Sequence, residues 1–318
     1  PQHPATHGVL RFRVSLEGEI IKKLDVHCGY IHRGIEKLCE SLTYPQTLAL
    51  TDRLDYLGAS QNRHALCMCI EKGLGVEVSE RVQYIRTIMD ELQRIDSHLL
   101  FFSCLCMDMG ALTAFFYGFR DREKVLDILE ETTGGRLIQC YNTIGGVQAD
   151  IHPDFVRKTK EFIAYMRLKL REYHEVFTGN VIAQERLKGT GVLTREDAIS
   201  FGATGGTGRA AGWACDVRKR HPYAVYGKVD FEEVLFTEGD CFARYMVRMR
   251  EIEQSMHIIE QLIDNIPEGE YYIKQKPIIK VPEGQWYFSV EGASGEFGVY
   301  LDSKGDKSPY RMKMRPMG

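Results

Sequence analysis

The stretch TDRLDYLGAS, Thr51–Ser60, packs an Arg, two Asp and a Tyr into Asp52–Tyr56 and then runs into Gly58. That is too polar for an ordinary core segment and too aromatic for an ordinary loop, so it reads as a turn, a catalytic site or the remains of one. A second candidate is Asp108, the single charge within the apolar run Leu99–Phe119. An unpaired carboxylate in such surroundings is costly or protonated, and a basic partner would lower that cost. His7 and Asp108 rank first as a chemical pair. Ten histidines are available, however, and the sequence alone does not select His7.

Other motifs carry less. The glycine-rich GGTGRAAG, Gly205–Gly212, lacks the Lys-Ser/Thr of a phosphate-binding loop, and no apolar strand leads into it. It reads as a tight loop presenting Arg209. Cys67-x-Cys69 and Cys104-x-Cys106 lie in helix-like apolar surroundings, where positions i and i+2 face different ways, so core thiols are expected. His98, on a long helix, is a structural histidine or a site. No Cys-x-x-Cys occurs, and nine scattered cysteines suggest reduced thiols rather than a disulfide framework.

The elements that must position these residues follow from periodicity. Residues 9–26 alternate, with Leu10, Phe12, Val14 and Leu16 on one side and a turn at Glu17-Gly18, which predicts a hairpin with one buried face. Ser79 caps an amphipathic helix whose stripe is Val82, Ile85, Ile88, Leu92, Ile95, Leu99 and Phe102. Further helices are expected over Arg122–Thr132, Asp154–Phe177 behind Pro153, about Arg195–Ser200, and Asp240–Ile266. Trp286–Val290, Phe297–Leu301 and Tyr310–Met314 read as strands. The expected fold is α+β in one domain, 1–318: a hairpin at 9–26, a helical core at 31–266 and strands at 286–314. The run Leu99–Phe119 approaches the length of a bilayer-spanning helix, about 20 apolar residues. Its continuity with the amphipathic helix and the break offered by Gly110 favour a segment entering a protein core.

Composition narrows the function classes. Hydrophobic residues make up 44% and charged residues 27%, which argues against disorder. The 41 basic against 44 acidic residues leave no basic footprint for nucleic acid.

The motifs PQHPATHGVLRF (Pro1–Phe12), GYIHRGIEKL (Gly29–Leu38), DRLDYLGAS (Asp52–Ser60), DELQRIDSHLLFF (Asp90–Phe102), DMGALTAFFYGFRDRE (Asp108–Glu123) and IGGVQAD (Ile144–Asp150) closely resemble the D subunit, or 49-kDa subunit, of respiratory NADH:quinone oxidoreductase, complex I. The likeness runs from residue 1 to about 265 and resumes at Val290–Gly318. It implies a fold of the nickel–iron hydrogenase large-subunit type. The stretch matching Arg53–Ser60 holds the metal's cysteines there, and Asp55 and Gly58 stand in their place, so no metal is expected on this chain.

The resemblance also implies roles. His7 and Tyr56 would donate hydrogen bonds to the two oxygens of a quinone, ubiquinone or menaquinone, with Asp108 paired to the His. Arg33, Arg53 and His98 would surround a terminal 4Fe–4S cluster carried by a neighbouring small subunit. The implied partners are that iron–sulfur subunit, the C subunit, and membrane subunits around a quinone channel, with the chain peripheral on the cytoplasmic face of the inner membrane or its mitochondrial equivalent.

The sequence also departs from the family. The segment Pro267–Gln285 is short, the usual Leu-Arg-Ala-Ser-Gly reads Gly208-Arg209-Ala210-Ala211-Gly212, and the chain starts inside a Gly-Pro-Gln-His motif. A longer polypeptide fused to the C subunit is therefore an expectation. An electron donor other than NADH, such as ferredoxin, and a membrane-bound hydrogenase-like complex are the alternative readings.

Overall fold

A computed structural model describes residues 11–317. Among the helices, α4 (Glu80–Asp108) is the axis. Ser79 caps it by accepting from Val82 N, and at 29 residues it is about 44 Å long. Its apolar stripe is where the spacing puts it, and Val82, Ile85, Ile88, Leu92, Ile95, Leu99 and Phe102 are all fully buried. The amphipathic reading is nevertheless only half right. Every residue from Ile85 to Leu100 is buried, including Arg86, Asp90, Glu91, Arg94, Asp96 and His98. Other helices pack against α4, and its polar face is held by internal ion pairs.

Before α4 come β1 (Arg11–Glu17) and β2 (Ile20–His27), then α1 (Ile35–Cys39), α2 (Tyr44–Thr51), a 3₁₀ turn at Tyr56–Gly58 and α3 (Ala59–Leu74). Strands β1 and β2 pair antiparallel, so Phe12 faces Val26, Val14 faces Leu24 and Leu16 faces Ile21. The hairpin is where it was expected, but its apolar face is open: Leu16 is 60% exposed and Ile21 62%.

After α4, Gly110 at φ 82° makes the break that the sequence offered, and α5 (Leu112–Thr133) turns back along α4. It starts ten residues earlier than the expected Arg122. The apolar run is thus an αα-hairpin, and among the described residues no helix is long and apolar enough to cross a membrane. The two helices touch at Gly118, where a Cβ would stand 2.0 Å from Ser103 Oγ and 3.3 Å from the Leu99 carbonyl. Gly118→Val should therefore destabilise the fold by about 1–3 kcal/mol, seen as a lower urea midpoint at unchanged slope.

The small hairpin β3 (Asn142–Thr143) and β4 (Gly146–Val147) leads into α6 (Phe155–Tyr173), continued by a π-turn at His174–Thr178. Short helices α7 (Val181–Leu187), α8 (Arg195–Phe201), α9 (Gly205–Ala210) and α10 (Val217–Arg220) precede the long α11 (Cys241–Ile263), capped by Asp240. The glycine-rich stretch is thus a helix, not a loop, and Arg209 is not presented but completely buried. Gly205, at φ 67°, lets this helix start against Ser294 and Gly295, where a Cβ would meet backbone at 2.4 Å.

Strands β5 (Glu283–Glu291), β6 (Glu296–Lys304) and β7 (Arg311–Arg315) form one antiparallel sheet in the order β5-β6-β7. It packs on α3, with Val290, Phe297, Val299, Leu301 and Met312 in the same core as α4. About half of the residues are helical, with small antiparallel sheets toward both ends, and the α+β class holds.

Candidate functional site

Tyr56 enters through a locally specified turn. Asp55 caps the 3₁₀ turn by accepting from Leu57 N at 2.9 Å, and its carbonyl accepts from Asn62 Nδ2 at 3.2 Å. Asp52, fully buried one turn earlier, takes Arg63 Nη1 at 2.8 Å. Burial raises the Asp52 pKa, with the Arg63 guanidinium opposing. Gly58 closes the turn where a Cβ would strike the Met317 side chain, 2.3 Å from Cε.

The turn packs on α4. Tyr56 is half-buried, and its phenol pKa is raised, first by burial, then by the charges of Asp55 and Cys104, against the pull of Arg122. Cys104 is in turn held up by burial and by Asp108, one helical turn on. Tyr56, Cys104, Asp108 and Arg122 therefore share one neighbourhood, built from the turn, α4 and α5. The Tyr56 phenol stays protonated near neutrality and is a hydrogen-bond donor there.

His7 lies outside the described residues. Asp108 is exposed rather than interior, because α4 ends on it at Met109. The apolar run suggested burial, but the break at Gly110 delivers the carboxylate to the surface. Arg33 and Arg53 are exposed and have no ion pair among the described residues. The acid nearest Arg33 in sequence, Glu36, instead takes Arg311 at 2.9 Å. His98 does not join them as a cation. It is buried against Glu251, with Nε2···Oε2 at 2.7 Å, and burial pushes its pKa down to about 4 despite that carboxylate. Burial therefore favours the neutral imidazole, with the Glu251 carboxylate as its partner.

The sequence did not single out the support behind Arg122. Its Nε lies 2.7 Å from Asp96 Oδ1, and Gln93 Nε2 donates to Asp96 Oδ2 at 2.9 Å. Gln139 Nε2 donates to Gln93 Oε1 at 2.7 Å. Only the helical spacing of Gln93 and Asp96 could have hinted at this chain of bonds, since Arg122 arrives from another helix. Burial raises the Asp96 pKa to about 6 even with Arg122 against it. A carboxylate raised above its unfolded value costs folding free energy once ionised, so this group's contribution weakens as pH rises from about 4 to about 6. A carboxyl C=O infrared band titrating near pH 6 and absent in Asp96→Asn is the expected signature.

Among the described residues no cluster of three or more His, Cys, Asp or Glu is arranged to hold a metal ion.

Comparisons with known proteins agree with the motifs. The model of the family described as respiratory-chain NADH dehydrogenase, 49 Kd subunit, matches residues 108–318. The chain is 86% identical over its whole length to the C/D subunit of an NADH-quinone oxidoreductase of Phocaeicola vulgatus, of which it covers 61%. It is 77% identical to the C/D subunit of Bacteroides thetaiotaomicron, covering 60% of it. With the D subunit of the NADH-quinone oxidoreductase of Desulfotalea psychrophila it shares 47% identity over 99% of its length and 85% of the relative's. It spans about 60% of the length of the C/D relatives. The chain belongs to the 49-kDa subunit family of the respiratory-chain NADH dehydrogenase.

Proposed function

We propose that this chain forms the quinone headgroup pocket of a proton-translocating NADH:quinone oxidoreductase. The observation that carries the reading is Tyr56. A half-buried phenol with a raised pKa, set between Asp55, Cys104 and Arg122, suits a proton donor to a quinone oxygen. The relatives named as C/D or D subunits of NADH-quinone oxidoreductase support the same reading. In it, His7 serves the second oxygen and Asp108 orients it. The fold is that of the hydrogenase large subunit with its thiolates replaced by Asp55 and Gly58.

Arg33 and Arg53, exposed and free of ion pairs among the described residues, suit an anionic neighbour. A 4Fe–4S cluster in the adjoining small subunit would supply the electrons. Positive charge beside such a cluster favours its reduced form. The C unit and membrane subunits complete the assembly, at the cytoplasmic face of the membrane.

A photoreactive quinone tests the pocket directly. Irradiated with the assembled complex, it should label peptides containing Tyr56 or Cys104, and excess quinone should compete. Labelling confined to other segments would overturn the assignment.

A further inference from the structure

Beside the Tyr56 turn, a second hydrogen-bonded chain runs the other way, toward solvent. Ser60 stands in the first turn of α3, four residues after Tyr56, and its hydroxyl donates to Asp90 Oδ1 at 2.7 Å. The other oxygen of Asp90 faces His64 Nδ1 at 2.6 Å. Both Asp90 and His64 are almost completely buried, and Gln61 Nε2 fixes the α4 backbone at Asp90 O, 2.8 Å away. The edge of Tyr223 meets the His64 ring, with centroids 5.9 Å apart. With Nδ1 engaged by Asp90, Nε2 is the ring nitrogen left over, and His64 lines a cavity of about 240 Å³. That cavity is also lined by Glu71, Lys72, Gln83 and Arg86, of which Lys72 is exposed.

We propose that His64, Asp90 and Ser60 form the proton-entry relay of the quinone site, and that the 240 Å³ cavity is its mouth. The inference rests on the quinone reading above. Quinone takes up two electrons and two protons to become quinol. The relay moves protons only, and the electrons come from the neighbouring iron–sulfur cluster. A proton arriving from cavity water binds His64 Nε2, and the Nδ1 proton passes to Asp90 Oδ2. The protonated carboxyl turns about its Cβ–Cγ bond to present that proton to Ser60 Oγ, and the hydroxyl takes it while releasing its own proton on the side of the Tyr56 turn, to replace the one the phenol has donated. Each group ends with the proton count it began with, and one proton has crossed. An acid–imidazole pair in contact with a hydroxyl is suited to this, because each member both accepts and donates.

A buried Asp–His pair can also be purely structural, so the test uses readouts that a structural role would not move. In the intact membrane-bound complex, His64→Ala should lower quinone kcat by about tenfold to a hundredfold at unchanged KM. It should also enlarge the solvent deuterium isotope effect on kcat and regain rate on addition of imidazole. If His64→Ala prevents assembly, Ser60→Ala, which removes only a hydroxyl, decides: a larger isotope effect that Ser60→Thr restores supports the relay. Loss of rate without imidazole rescue and with the wild-type isotope effect would overturn it. Wild-type turnover in His64→Ala and Ser60→Ala, beside a slow Tyr56→Phe, would refute the relay and leave the quinone site standing. Wild-type turnover in Tyr56→Phe would instead remove the quinone reading and the relay with it.

Discussion

Tyr56→Phe should lower quinone reductase turnover by about a hundredfold while the complex assembles in normal amounts. Losing a positioned proton donor costs about 10²–10⁴ in rate, and the deletion here is one oxygen on a half-buried ring. The ring keeps its packing against α4, so stability should change by no more than about 1 kcal/mol. The protonated phenol is what the environment maintains, because burial and the Asp55 carboxylate both raise its pKa. A donor bonded equally to quinone and to the transition state would show itself in KM, whereas a proton delivered during reduction shows itself in kcat. The fall is therefore expected in kcat, with at most a severalfold rise in quinone KM. Steady-state assays over a quinone concentration series, normalised to complex content, read both. Unchanged kcat with unchanged KM would remove Tyr56 from the site.

How much of this the sequence carried depends on the range of the interaction. The stripe Val82–Phe102 and the cap Ser79 depend on neighbours within one or two turns, and they stand as read. The start of α5 was missed because Leu112–Phe119 merged with the end of α4 into one apolar run, although Gly110 carried the signal. Asp108 moved from interior to surface for the same reason. The hairpin's alternation was plain, but periodicity states which side chains share a face, not what covers that face. Tyr56 was legible as an oddity of composition. Its surroundings were not, since Cys104 and Arg122 come from two helices that meet it only in the fold. The polar face of α4 marks the same limit. Arg94 and Glu91 look like a solvated helical pair at i, i+3, yet both are fully buried, with Arg94 donating to the carbonyls of Glu291 and Gly292.

That buried network leads to the largest stability effect expected here. Arg209 donates Nε and Nη2 to Glu251 Oε1, at 2.9 and 2.5 Å, and Nη1 to Glu291 Oε1 at 2.6 Å. Glu251 also takes His98, and Glu291 Oε2 accepts from Val217 N at 3.0 Å. One guanidinium thus joins α9, α11 and β5, with α4 reached through His98. Removing one partner of a buried pair strands the other's charge and costs about 3–5 kcal/mol, against a total stability of about 5–15 kcal/mol. Arg209→Leu should lose at least that much at neutral pH, because two carboxylates are stranded. Arg209→Lys should lose less, keeping the charge without the fork.

The pH dependence follows from Glu251, whose pKa stands well below the usual value: burial alone would raise it, and the Arg209 charge and the His98 hydrogen bond outweigh that. A depressed carboxyl stabilises the fold above its unfolded pKa of about 4.3, and that contribution is lost as pH falls through the folded value. In Arg209→Leu the stranded carboxyls can relieve themselves by protonation. The deficit relative to the parent should therefore be greatest at pH 7 and shrink as the pH falls toward 5. Urea unfolding of parent and variant at both pH values measures it, and a deficit independent of pH would mean that lost packing, not stranded charge, is what Arg209 prevents.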